Sequence, residues 1–105
     1  MVKKTGHINP KISFVFSKTG QMRYISHLDV MRLFMRAARR ANLPLYLTQG
    51  FHPHPKIKFS RALKLGLESM DEFAEIILTR KIKPRVFIKK MNKQFPEGIR
   101  IEKAF

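Results

Sequence analysis

Residues 12–44 read ISFVFSKTGQMRYISHLDVMRLFMRAARRANLP, and a change of period inside this stretch decides the fold. Ile12, Phe14 and Phe16 alternate with Ser13, Val15 and Ser17, the two-residue period of a strand with one buried face. Ser17-Lys18-Thr19-Gly20 then reads as a turn, and Met22 to Ile25 as a short return strand or a continuation of the first strand after a bulge. Ser26-His27-Leu28-Asp29 fits a capping box: the Ser26 hydroxyl takes an orphan amide of the first helical turn, and Asp29 reaches back and complements the helix dipole. From His27 to about Asn42 the spacing is helical. At about 100° per residue from Arg32, the residues Val30, Phe34, Ala37, Ala38 and Ala41 gather on one side and Arg32, Arg36, Arg39 and Arg40 on the other. The helix therefore has an apolar back, small enough to lie close on a sheet, and an arginine front; Pro44 ends it.

Working outward, Leu45 to Thr48 reads as a short strand and Gln49 to Pro55 as a loop, because two prolines and a glycine forbid regular pairing there. Lys56 to Phe59 resumes alternation, with Ile57 facing away from Lys56 and Lys58. Glu72 to Thr79 reads as a central strand. Pro84 suits the first position of a second helix running to about Gln94, with Phe87, Ile88, Met91 and Phe95 recurring at helical spacing. Pro96-Glu97-Gly98 turns the chain into a last strand, Ile99 to Ala104. The order β, α, β, β, α, β predicts an α+β fold: a ferredoxin-like split βαββαβ sandwich with two helices on one face of an antiparallel sheet. Residues 1–10 are expected to be a basic flexible lead and residues 11–105 a single domain.

The composition narrows the function. With 105 residues, 44% hydrophobic and 28% charged, one core must serve the whole chain. No apolar run reaches the roughly 18–20 residues of a membrane-spanning helix, and no apolar block follows the basic N-terminus, so a soluble cytoplasmic protein without membrane contact is expected. The absence of cysteine removes disulfides, thiolate metal sites and a cysteine nucleophile from this chain. Lys plus Arg number 22 against 7 Asp plus Glu, a net charge of +15, which implies a standing anionic partner. The imbalance is concentrated: residues 1–66 hold 13 basic side chains and one acid, Asp29. Nucleic acid is the first candidate.

Several groups carry candidate chemistry. The arginine front has no interleaved Glu to neutralise it, and guanidinium groups bind phosphate oxygens bidentately and stack on bases. Asp29 lies on the same side, where it caps the helix or orients Arg32 or Arg36. In the loop, Gln49, Phe51, His52 and His54 are presented on a proline-stiffened backbone beside the basic run Lys56, Lys58 and Arg61, with Arg23 upstream as a further cation. Phe51 either stacks on an unpaired base or anchors the loop in the core. An enzymatic alternative is a ribonuclease in which His27, His52 and His54, with Asp29 and Tyr24, supply acid and base while arginine holds the phosphate. The same histidines and Asp29 suffice in kind for a metal, but their spacing matches no metal motif, so no metal or cofactor is assigned. A third reading is a protein-docking module using the acids Glu68, Asp71, Glu72 and Glu75.

The strings RYISHLDVMRLFMRAARRANLPL, TQGFHPHPKIKFS, LGLES and PEGIRI, in that order, resemble the bacterial radical-SAM-linked family of domains of unknown function. The resemblance runs from about Ile12 to Ile101, and members usually continue with a second half. It implies a domain that stands alone or follows a radical SAM protein. It also implies an RNA-related role, on transfer or ribosomal RNA, with a radical SAM protein as a possible partner. Two positions depart from the family pattern: His52 replaces the usual Asn of the loop, and Asn42 replaces the usual Gly at the helix end. Asn tolerates the left-handed cap; His52 introduces a titratable group.

Overall fold

A computed structural model describes residues 9–105. The expected basic lead falls outside these residues as far as residue 8. The elements are β1 (Lys11–Lys18), a 3-10 turn (Gly20–Tyr24), α1 (His27–Arg40), β2 (Ile57–Phe59), β3 (Ser69–Ile77), α2 (Pro84–Asn92) and β4 (Ile99–Ala104). The strands form one sheet in the order β2-β3-β1-β4, with every pairing antiparallel. This is the βαββαβ arrangement expected of the split sandwich. Among the described residues no helix is long and apolar enough to cross a membrane.

The alternation of β1 builds the core. Ile12, Phe14 and Phe16 are buried, Phe14 opposite Ala74 of β3 and Phe16 opposite Ile101 of β4. The apolar back of α1 meets them: Val30, Phe34, Ala37 and Ala38 are buried, and the Phe34 ring lies 4.7 Å from Phe16 and 5.9 Å from Phe14. From α2, Phe87 reaches within 5.3 Å of Phe14, so both helices pack on one face of the sheet around a phenylalanine cluster. Such rings add about 0.5–1.5 kcal/mol per pair beyond the area they bury.

The structure departs from the sequence expectation at element ends. Met22 to Ile25 is no strand. After a register shift between Phe16 and Lys18 the chain leaves the sheet, and 3-10 bonds, from Met22 N–H to the Thr19 carbonyl (3.1 Å) and from Ile25 N–H to the Met22 carbonyl (3.2 Å), bring it to α1. Ser26 caps α1 as expected, accepting the Asp29 amide at 3.1 Å, and Asn42 takes the left-handed conformation (φ 55°) just past the helix. Leu45 to Thr48 forms single bridges, Leu45 to Leu78 and Leu47 to Pro55, because Pro55 has no N–H with which to extend a ladder. The central strand β3 starts earlier than expected, at Ser69, and α2 stops at Asn92 with Phe95 still packed 4.8 Å from Phe34.

Candidate nucleic-acid interface

Helix α1 presents Arg32, Arg36, Arg39 and Arg40 to solvent along one side, opposite its buried stripe. Asp29 does not complete the capping box; its carboxylate lies 3.6 Å from the Arg32 guanidinium, one turn along. Arg36, Arg39 and Arg40 have no carboxylate within salt-bridge distance among the described residues. Arg36 and Arg40 also make no side-chain hydrogen bond among the described residues, so two guanidinium groups are open to an external anion, with Arg39 between them in sequence.

Arg39 also ties this helix to the loop that follows it, its Nη2 donating to the Pro53 carbonyl at 3.3 Å. The loop is closed at its base, where the Thr48 N–H donates to the His54 carbonyl (2.8 Å) and the His54 N–H to the Thr48 hydroxyl (3.2 Å). Gly50 adopts φ 130°, a conformation that side-chain-bearing residues avoid. Pro55 is the buried anchor. Phe51 is not: its side chain is 99% exposed at the loop tip, which removes the reading of it as a core residue. A phenyl held in water by a loop tied to the arginine side of α1 has the geometry of a stacking surface.

The histidines take separate places. His54 Nδ1 lies 2.9 Å from the His52 carbonyl, an acceptor only, so Nδ1 donates a proton to it. His27 sits at the other end of α1, about 18 Å of helix rise from Arg39. Its Nδ1 accepts the Leu63 amide at 3.2 Å and its ring stands edge-on to Phe59 at 5.4 Å. Among the described residues no group of three or more His, Cys, Asp or Glu is arranged to hold a metal ion.

Of the remaining predicted contacts, Lys56 and Lys58 are exposed, with the Lys56 ammonium 5.9 Å from the Tyr46 ring and Lys58 opposite Glu75 on β3. Gln49 is exposed at the loop entry, as is His52 at its tip. Two cations are engaged within the chain. Arg23 lies over the Tyr24 ring at 4.4 Å and bonds the Gly20 carbonyl, near Glu68 at 3.9 Å. Arg61 forms a two-pronged bond to Glu72, from Nε at 3.1 Å and from Nη2 at 2.7 Å. The acidic group is likewise dispersed: Glu72 is buried on the core side, Glu75 pairs with Lys11 at 3.2 Å, and Glu68 accepts the Gly20 amide at 2.8 Å.

Sequence reasoning missed Lys18. It is 1% exposed, donates to the Ile25 carbonyl at 2.9 Å, and lines a cleft of about 380 Å³ with Arg61, Leu63, Lys64 and Glu72. Burial holds its ammonium below the usual lysine range against the opposing pull of Glu72. The bond from Arg61 holds the Glu72 carboxyl below the usual carboxylate range, overcoming the cost of its burial. The signal was present: Lys18 continues the inward phase of Ile12, Phe14 and Phe16, and Glu72 that of Ala74, Ile76 and Leu78. The cluster fastens the 3-10 turn and the β2–β3 connection to the sheet.

No curated protein and no solved structure matches this chain. A family model, that of an uncharacterized protein conserved in bacteria (DUF2344), matches residues 11–105, nearly the whole chain. The chain, with its arginine helix, proline loop and four-stranded sheet, belongs to that bacterial family.

Proposed function

We propose that this domain binds RNA and positions it, transfer or ribosomal RNA in particular, for a modifying or processing partner such as a radical SAM protein. The observation that carries this reading is the Arg39–Pro53 contact, which holds an exposed Phe51 loop beside Arg36, Arg39 and Arg40, none of them engaged by a carboxylate among the described residues. Phosphates pair with the guanidinium groups, and an unpaired base stacks on Phe51 with its polar edge toward His52 and His54. The net charge of +15 supports an anionic partner, and the choice of RNA and of a radical SAM protein follows from the family resemblance. The separate placement of His27 supports binding rather than cleavage by the three histidines.

Reversing Arg32, Arg36 and Arg39 to Glu should abolish RNA retention while leaving the thermal transition in place. Contact with roughly five to eight phosphates should make log affinity fall with log salt at a slope of about −3.5 to −6 on single strands. Unchanged binding by the reversed variant, or a flat salt response, would sink the assignment. Labelled RNA incubated with the protein should remain intact with or without chelator; cleavage lost in His54→Ala would establish the ribonuclease reading instead.

A further inference from the structure

The sheet has a second face, away from both helices. Val15 lies at its centre, paired with Phe73 on β3 and with Lys103 on β4, so these three side chains share that face. Phe105 joins them through paired backbone bonds with Ser13, from the Phe105 amide at 2.8 Å and from the Ser13 amide at 3.4 Å. Phe73 and Phe105 are 45% and 61% exposed, and their rings are nearly parallel, 13° apart with centroids at 6.2 Å. Two large aromatic rings stacked on each other and partly open to water on a sheet are a cost to a folded protein unless something covers them. Phe73 also lines a cleft of about 240 Å³ with Lys58, Ser60 and Glu75, residues that carry an ammonium, a hydroxyl and a carboxylate. The cations Lys58 and Lys103 flank the pair and have no carboxylate within salt-bridge distance among the described residues, whereas Glu75 is engaged by Lys11.

We infer that the Phe73–Phe105 face is a base-stacking platform for single-stranded RNA, with one base on Phe73 turning its polar edge to Lys58, Ser60 and Glu75, the next on Phe105, and the phosphates along Lys58 and Lys103. A protein partner would be expected to meet an apolar patch with a satisfied rim. This patch instead combines π faces, convergent polar groups and uncompensated cations, the components by which exposed sheets hold unpaired bases. The platform lies next to the edge strand β2, which Lys56 precedes, directly after the loop from Gln49 to Pro55. A strand leaving the arginine helix therefore has a cationic path around that edge. The inference rests on the RNA-binding reading above and adds that the protein selects single strands.

The test compares fluorescein-labelled RNA of about ten unstructured nucleotides with a blunt duplex of the same length, for wild type, Phe73→Leu/Phe105→Leu and Phe73→Ala. The leucine pair keeps the apolar contacts and removes the π faces, so folding, checked by circular dichroism melting, is retained. Wild type should prefer the single strand. Loss of each ring should weaken single-strand binding about tenfold, about a hundredfold for the pair, leaving duplex binding and the salt slope unchanged. Wild-type binding of RNA with the leucine variant within about twofold overturns the platform and leaves the RNA-binding reading standing. Should wild type bind neither probe, both fall. Self-association that disappears in the leucine variant while RNA affinity persists would assign the face to a second copy of the chain and overturn the inference.

Discussion

Glu72→Gln isolates the charge on which the buried end of the sheet depends. The carboxylate is 4% exposed and is held by two bonds from Arg61, with the ammonium of the equally buried Lys18 nearby. Orphaning one member of a fully buried ion pair costs about 3–5 kcal/mol. The Arg61 side chain is 63% exposed, so water replaces much of what it loses, and the cost falls to about 1–3 kcal/mol, with the two Arg61 bonds the larger loss and the attraction of the buried Lys18 ammonium the smaller. For a domain of this length Tm should fall by roughly 5–20 °C at neutral pH. The pH dependence is the sharper readout. Because the folded pKa of Glu72 lies below its unfolded value, its contribution is complete above about pH 4.3 and is lost as pH falls through the folded value. The stability gap between wild type and Glu72→Gln, measured by urea titration monitored by circular dichroism, should therefore be constant above about pH 5 and close in acid. In a Lys18→Met background the same substitution should cost less, since the orphaned cation is gone. A gap that persists unchanged at low pH would refute the electrostatic argument and leave a packing defect in its place.

Three further outcomes test other parts of the structure. Gly98→Ala should destabilise by about 2–6 kcal/mol, because Gly98 adopts φ 102° and an added Cβ would stand 2.6 Å from the Thr19 carbonyl oxygen; a thermal shift of only a degree or two would contradict that geometry. Phe51→Ala should leave Tm unchanged within experimental error, its side chain being almost fully exposed, while weakening RNA affinity by about 1–3 kcal/mol; a fall in Tm would mean that the ring packs against the fold. Ser26→Ala should cost about 1 kcal/mol in denaturant unfolding through loss of the cap on the Asp29 amide, and Ser26→Asp should restore it.

Local periodicity alone determined the parts of this protein that obey the backbone's own geometry. The two-residue repeat of Ile12, Phe14 and Phe16, the separated faces of α1, the proline start of α2 and the strand Ile99–Ala104 are each readable because burial on one face imposes its period on neighbouring residues. The arginine side of α1 was legible for the same reason, and so was the irregular backbone of the proline loop. Tertiary structure decided which of those groups remain available. Arg61 and Glu72 are eleven residues apart and Arg39 and Pro53 fourteen, and no spacing rule relates either pair; they meet because strand pairing and helix docking bring them there. The same docking left Phe51 in solvent, separated His27 from the loop, and exposed Phe73 with Phe105 on the open side of the sheet. A side chain's period is a property of its own segment, whereas its partner is a property of the packed whole, and the chemistry of this surface depends on the second.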